Sequence, residues 1–154
     1  MRAVSVFAAL LALLACGDAL APVRVGAVYQ LRSINGQPLP WNPPPDDSAY
    51  LPMRVTEGWI KFLDGSSAQR HERWERWVLG VNGDSSLLVN DWTQTAAYER
   101  LSGRIVLSYP PGPGGGAGAD TLYIGSRRSL ILHHTGYLSP LGDMVRQFCI
   151  SADC

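Results

Sequence analysis

The segment AVYQLRSI, residues 27–34, has the alternation of a β-strand and is followed directly by Asn35-Gly36. In an extended chain Tyr29 and Leu31 lie on one face and Gln30 lies on the other. Asn-Gly after such a segment is a strong signal for a tight hairpin turn. These residues therefore predict a strand that ends in a turn.

The same succession of short extended segments and turns continues to the C-terminus. Further segments of strand-like composition occupy residues 50–55, 59–63, 86–89, 95–101, 103–109, 121–124, 129–134 and 144–150. Five prolines within residues 37–47 predict an extended or looped segment, because proline removes the donor that a strand ladder needs. Residues 110–118, PPGPGGGAG, predict a mobile loop. We count eight or nine strands and no helix beyond the N-terminal apolar segment.

Residues 68–79, AQRHERWERWVL, allow two interpretations. As a helix, the segment offers an i,i+4 pair between Glu72 and Arg76. As a strand, it carries Trp74 and Trp77 on opposite faces and follows a hairpin-type Asp-Gly turn. The context of neighbouring strands and turns favours the strand.

Short antiparallel strands joined by turns leave unpaired edges. A chain of about eight such strands removes its edges by closing into a barrel. The sequence therefore predicts an all-β, single-domain protein with an antiparallel up-and-down barrel, and a two-sheet β-sandwich is the alternative. An eight-stranded barrel is either filled by side chains or holds one small ligand.

The composition limits the partners. The 154 residues include 13 basic and 13 acidic side chains with no basic block, so we expect no nucleic-acid partner. A hydrophobic fraction of 46% is that of a folded chain rather than a disordered one. With 16 Gly and 11 Pro, the chain favours turns over long helices.

The first 21 residues differ in composition from the rest. Met1-Arg2 supplies a positive charge, residues 3–14 are apolar apart from Ser5, and small residues follow. This is the pattern of a secretory signal. The apolar run ends at Gly17-Asp18, short of the roughly 20 residues that a permanent membrane span requires.

Leu13-Leu14-Ala15-Cys16 resembles the lipobox of bacterial lipoproteins, in which the cysteine thiol is diacylated and becomes the mature N-terminus. The competing cleavage site, Ala19-Leu20-Ala21, would place Pro22 first in the mature chain, where proline is poorly tolerated. We therefore expect Cys16 to be lipidated and the acyl chains to hold the protein on a membrane.

This anchor would divide the chain into three parts. They are a signal peptide at residues 1–15, a lipidated tether at 16–26 and a β-barrel domain at 27–154. The expected location is the bacterial cell envelope, with the periplasmic face of the outer membrane favoured. In that compartment Cys149 and Cys154 could close a small disulfide, and two free thiols are the alternative.

The start of the predicted barrel also resembles a known family. Residues 29–40, YQLRSINGQPLP, are similar to the opening Y-x-L-x-S-[IV]-N-G-x-x-L-P of small bacterial lipoproteins with a lipocalin-like barrel. A later Gly-x-Ile-x-Leu strand of these proteins has its counterpart at residues 103–107, and their preceding Asp-Gly hairpin at Asp64-Gly65. The resemblance implies a lipocalin-like fold and an envelope location. Most of these lipoproteins are uncharacterised, so it implies no particular activity.

The sequence offers little for catalysis. His71, His133 and His134 are its histidines, and the adjacent pair would point to opposite faces of a strand, so they could not both ligate one ion. Nucleophile elbows, cysteine-protease signatures, phosphate loops and dinucleotide glycines are missing from the sequence. We expect no catalytic residue, no metal and no cofactor, and hence no enzyme.

Aromatic residues are the stronger signal, with five Trp and six Tyr. They could form the core of a small β domain or line a ligand pocket. The candidate pocket residues are Trp59, Trp74, Trp77, Tyr98 and Tyr123.

Together these features predict a lipid-anchored, non-catalytic module that binds a small apolar or amphipathic molecule. The alternative is an envelope structural or protein-interaction domain whose barrel is filled and whose outer strand or apolar patch engages a partner protein. A hollow interior would favour the first function, and a filled interior would favour the second.

Overall fold

A computed structural model describes residues 23–43, 53–111, 117–125, 129–134 and 144–150, and every regular element within them is a β-strand. The strands are β1 (Val28–Ile34), β2 (Gln37–Pro38), β3 (Met53–Phe62), β4 (Ser67–Leu79), β5 (Ser85–Leu101), β6 (Arg104–Tyr109), β7 (Gly118–Ile124), β8 (Leu130–His134) and β9 (Met144–Cys149). From β3 to β9 each strand pairs with the next one in the chain, while β1 pairs with both β3 and β9. All pairings are antiparallel. Because β1 pairs with β9 as well as with β3, the sheet is a closed barrel of eight strands, and β2 is one extra strand.

This architecture confirms the predicted all-β, up-and-down barrel. It also confirms the strand interpretation of residues 68–79, which form most of β4. Because β4 pairs with β3 on one side and with β5 along its whole length on the other, sheet pairing outweighs the local helix signal. In the described ranges no helix has the length and apolarity that crossing a membrane requires.

The turn after β1 also forms as predicted. Asn35 and Gly36 have positive φ angles of 52° and 76°, which suit a tight hairpin. Residues 37–47 were expected to be extended or looped, and at their start Gln37–Pro38 is extended and pairs with Ser33 and Ile34 as β2.

Two predicted strand boundaries were wrong. Residues 50–55 and 59–63 were expected to be separate strands, but β3 is continuous. Its register shifts between Val55 and Glu57, and Gly58 pairs regularly with β4. Gly58 is buried, and a Cβ there would lie 2.9 Å from Leu31 Cδ2, so this glycine serves packing rather than a turn. Likewise, the strands predicted at 86–89 and 95–101 are one 17-residue strand, β5, because it pairs with β4 over the intervening residues.

The hydrophobic core lies inside the barrel. Phe62 makes edge-on ring contacts with Tyr29 and Tyr98, at centroid distances of 5.7 and 5.0 Å. Large apolar side chains with under 2% exposure come from six of the eight barrel strands, and they are Val55, Ile60, Phe62, Ile34, Ile105, Leu107, Leu122, Leu130, Leu132 and Phe148. Alternation of buried and outward residues along the strands produces this filling.

The two ends of the barrel differ. The chain enters before β1 at the end that carries the β3–β4, β5–β6 and β7–β8 turns, which we call the entry end. There Gly26 N donates to Phe62 O at 2.7 Å. The β4–β5, β6–β7 and β8–β9 connections lie at the opposite end, which we call the far end. Residues 112–116, the middle of the predicted Gly/Pro loop, lie outside the described residues.

Candidate functional site

Four charged side chains meet inside the barrel, and we call them the ionic network: Arg70, Glu72, Asp120 and Arg146. Arg70 Nη2 donates to Glu72 Oε1 at 2.7 Å, and Arg70 Nη1 donates to the Asp120 carboxylate. Arg146 Nε lies 2.9 Å from Glu72 Oε1. Since β4, which carries Arg70 and Glu72, is not adjacent to β7 or β9, these ion pairs span the interior.

Aromatic side chains complete the contacts of the ionic network. Trp74 Nε1 donates to Glu72 Oε2 at 3.1 Å, so both carboxylate oxygens of Glu72 are engaged. The Tyr109 hydroxyl donates to Asp120 Oδ2 at 2.8 Å. The Arg70 guanidinium lies 5.3 Å from the centre of the Trp92 ring, within range of a cation–π contact.

Burial shifts the proton affinities of this cluster. Burial alone lowers the pKa of Arg70, but the Glu72 and Asp120 carboxylates outweigh it and raise that pKa above its ordinary value. Burial also raises the pKa of Tyr109, which keeps its hydroxyl protonated as a donor to Asp120. For Arg146, burial lowers the pKa, and the positive charge of Arg70 acts in the same direction.

Arg146 is the least satisfied member of the ionic network. It is 2% exposed, and neither its Nε nor its Nη1 has a hydrogen-bond partner within the described part of the chain. The 2.9 Å approach of Nε to Glu72 is an ion pair in which the N–H does not point at the oxygen. A buried guanidinium with spare donors is costly, because each unpaired polar group keeps its desolvation penalty.

A second feature is a two-stranded ribbon at the far end, residues 77–89. Beyond Arg76, β4 pairs within the described residues with β5 alone, and β5 pairs with β6 only from Ala97 to Leu101. The ribbon therefore projects from the barrel wall. Its large apolar side chains are exposed to solvent, and they are Trp77, Leu79, Val81, Leu87, Leu88 and Val89.

Both faces of the ribbon are apolar. Trp77 pairs with Leu87 on one face, while Leu88 lies opposite Arg76 on the other. Val81, in the turn at the tip, is fully exposed. Asp84 is the one charged residue in the sequence of the ribbon. A contiguous exposed apolar surface of this kind marks an interaction site more often than a solvated face.

The five aromatic residues predicted to line a pocket do not converge. Trp74 faces inward to the ionic network, and Tyr98 packs inside near the entry end, where its hydroxyl donates to Asp64 O at 2.8 Å. Trp59 alternates with buried Gly58 and Ile60 and so lies on the outer face, stacked on His71 at a centroid distance of 5.1 Å.

The other two candidates are on exposed surfaces. Trp77 belongs to the ribbon. Tyr123, on β7, is 45% exposed and contacts the ring of His133 edge-on. Of the five, Trp77 is therefore the residue that belongs to the exposed ribbon, and Trp74 is the one that touches the ionic network.

The histidines are also apart. His71 is on β4, and its Nδ1 lies 3.0 Å from Thr93 Oγ1. His133 is on β8, which is four strands away from β4 in either direction around the barrel. Among the residues that the structure describes, no three His, Cys, Asp or Glu side chains form a group that could hold a metal ion.

Cys149 is fully buried and disulfide-bonded. Cys154, its predicted partner, lies outside the described residues, as do Cys16 and the predicted signal peptide. The Cys149–Cys154 pairing and the lipidation of Cys16 stay predictions.

Sequence reasoning missed the ionic network. Arg70, Glu72 and Trp74 occupy every second position of β4 and so share one face of that strand, which was a usable signal. Asp120 and Arg146 offered none, because each is a single charge in a separate strand and only the closed barrel brings them together.

Comparison with known proteins found no matching family, no matching curated protein and no matching solved structure.

Proposed function

We propose that this chain is a protein-interaction domain of the bacterial cell envelope, attached to the membrane by lipid on Cys16. In this proposal the packed barrel is a scaffold and the ribbon, residues 77–89, is the contact surface. The observation that carries it is the exposure of six large apolar side chains on a projecting hairpin.

The barrel interior supports a scaffold role. Core side chains such as Phe62, Phe148 and Leu107 are fully buried inside it, and the ionic network spans it between β4, β7 and β9. A small eight-stranded barrel filled in this way is held by its own packing. A packed core of this kind favours a binding surface on the outside of the barrel.

The ribbon leaves much of its apolar surface unburied in the folded chain. Burying one large apolar side chain contributes about 1.5–3 kcal/mol, and Leu79 and Val81 leave that contribution unused while the ribbon is free. A partner that covers the ribbon would recover it. Such exposure on a soluble β domain is therefore best explained by an occupant.

The position of the ribbon fits an anchored protein. The described chain begins at Val23, at the entry end, and the ribbon projects at the far end. A lipid on Cys16 would attach the entry end to the membrane through a short tether. The contact surface would then face away from the attachment point.

Site-specific photo-crosslinking in living cells tests this proposal. A photoreactive amino acid replaces Val81 in the ribbon or, as a control, the exposed Val145 on β9. We expect a discrete crosslinked protein band at position 81 that is absent at 145 and is lost when Leu87→Ser is added. Equal crosslinking yields at positions 81 and 145, or a crosslinked band at position 81 that persists with Leu87→Ser, would contradict the assignment of the ribbon as the contact surface.

The anchor is tested separately by growth on labelled palmitate. The wild-type chain should carry the label and stay in the membrane fraction, whereas Cys16→Ser should be unlabelled. An unlabelled wild-type chain would contradict the lipid anchor, but it would not bear on the ribbon as the contact surface.

Arg146 favours a second candidate function, binding of a small amphipathic molecule inside the far end. Its buried Nη1 has no hydrogen-bond partner among the described residues, so it could donate to a carboxylate or other acceptor. Trp74, which shares Glu72 with Arg146, would supply apolar surface. Titration with a fluorescent fatty acid should then saturate, and Arg146→Met should weaken it. No saturable binding by the wild type would reject this candidate.

A further inference from the structure

Among the residues that the structure describes, no strand pairs with the outer edge of β5 over most of its length. Residues 85–95 pair with β4, and within the described residues β6 pairs with β5 only from Ala97 onward. An unpaired edge of this length is a template for an added strand. Natural sheets protect such edges with Pro or Lys, but residues 85–95, SSLLVNDWTQT, contain neither.

The hydrogen bonds at both ends of β5 show which residues face this edge. Gly80 N donates to Asp84 O at 2.7 Å at the tip, and Tyr98 N donates to Ser66 O at 2.7 Å near the other end. In an antiparallel ladder, hydrogen-bonded and non-hydrogen-bonded residues alternate. The even-numbered residues of β5 therefore bond to β4. Odd-numbered residues such as Leu87, Val89 and Asp91 direct their N–H and C=O groups away from it.

This edge decides what kind of occupant the ribbon takes. Inserting the ribbon into a bilayer would place these unpaired backbone groups in hydrocarbon, at a cost of several kcal/mol each. A protein strand satisfies them and covers the apolar side chains at the same time. The occupant is therefore a β-strand rather than a lipid surface.

We propose that the occupant is a second copy of this chain, paired through β5 in antiparallel orientation. This rests on the proposed use of the ribbon as a contact surface. In such a two-fold contact each copy contributes the same edge, that of β5, to the shared sheet. With Val89 facing Val89 of the second copy, each odd-numbered residue faces an odd-numbered residue, so the free N–H and C=O groups meet.

The charge distribution permits this pairing. Asp91 is the one charged residue in 85–95. In the register centred on Val89, Asp91 faces Leu87 of the second copy, and the two Asp91 carboxylates are separated by four residues, about 13 Å along the strands. That exceeds the Debye length of about 8 Å at physiological ionic strength, so their repulsion is weak.

The test is concentration-dependent amide exchange on the full chain purified in mild detergent, with its mass followed by sedimentation. As concentration rises we expect a dimer to form and the amides of Leu87, Val89, Asp91 and Thr93 to become protected. Those of Leu88 and Asn90, bonded to β4, should be protected throughout. A monomer at every concentration, or a dimer whose odd-numbered amides stay unprotected, would overturn the proposal.

Variants separate strand pairing from apolar contact. Val89→Pro removes one outward N–H from each copy without removing a bond to β4, and it should weaken the dimer roughly tenfold or more. Val89→Thr keeps the N–H group and should weaken the dimer less. Val81→Ser, which lies away from the edge, should weaken the dimer least. If Val89→Pro does not fold, the exchange pattern of the wild type decides alone.

The two proposals can fail independently. A monomeric chain that still crosslinks from Val81 to a different protein would reject the second copy and leave the interaction domain in place. A chain that neither dimerises nor crosslinks would reject both.

Discussion

Glu72 on β4 and Arg146 on β9 form an ion pair across the barrel, with Oε1 and Nε 2.9 Å apart and both residues exposed by 2% or less. Glu72 also accepts from Arg70 Nη2 and from Trp74 Nε1. One buried carboxylate thus holds two guanidinium groups and an indole. The arrangement joins opposite walls of the barrel, and it makes Glu72 the member whose loss leaves most groups unpaired.

Glu72→Gln should therefore destabilise the protein strongly, by about 3–5 kcal/mol, since it leaves two buried cations short of a counter-charge. Arg146→Met should cost less, because Glu72 keeps Arg70 and Trp74. Urea unfolding of the two single variants and of the double variant measures these losses in unfolding free energy. Equal costs for the two single variants would contradict the central position of Glu72.

Asp64 links acid stability to the β3–β4 turn. It accepts from the Ser67 hydroxyl at 2.6 Å and from the backbone N–H groups of Ser66 and Ser67. The Ser67 hydroxyl bond and these amides lower its pKa from 3.8 to about 2. A depressed folded-state pKa stabilises the fold above the unfolded value, and this contribution is lost as pH falls from 3.8 to about 2.

Asp64→Asn keeps the acceptor but does not titrate. We expect thermal unfolding of the wild type to lose stability more steeply than the variant between pH 4 and about 2, with no difference in slope near neutral pH. Parallel pH curves for the two proteins would contradict the role given to the carboxylate.

The aromatic cluster at the entry end should dominate core stability. Phe62 is fully buried against Tyr29 and Tyr98, so Phe62→Ala should cost about 3–5 kcal/mol. Tyr123→Ala, on the outer face, should change stability by no more than about 0.5 kcal/mol. Denaturant unfolding of both variants measures the contrast, and similar costs would contradict the assignment of inner and outer faces.

Gly58 should tolerate no side chain without rearrangement. An added Cβ would lie 2.9 Å from Leu31 Cδ2 and 3.3 Å from His71 O, so Gly58→Ala should cost about 1–3 kcal/mol. Gly65→Ala is the matched control, because a Cβ there meets nothing within 4 Å. If the two alanine variants melt at the same temperature, β1 and β3 are not packed as closely as described.

Local alternation was enough to predict the barrel and most of its strands. The Asn35-Gly36 turn and strand β6 follow from local sequence, because their residues meet near neighbours. The break predicted between residues 55 and 59 was wrong, since the sequence does not show that Leu31 packs against Gly58. The length of β5 depends on pairing with β4, which is also not local.

The candidate sites were harder to predict. Leu87-Leu88-Val89 has the composition of a buried strand, and only the short β6 leaves it exposed. Arg146 is the single charge of strand β9, and its partner Glu72 lies 74 positions earlier in the sequence. Closure of the barrel, not local pattern, brings these two residues together.

Thiol labelling in intact envelopes tests the contact surface most directly. Val81→Cys and Val145→Cys chains are exposed to a membrane-permeant maleimide in envelopes and as dilute purified protein. We predict that Val81→Cys reacts much more slowly in envelopes than when purified, whereas Val145→Cys reacts at similar rates in both. Val81→Cys labelling as fast in envelopes as in dilute protein would show an uncovered ribbon and contradict the proposed function.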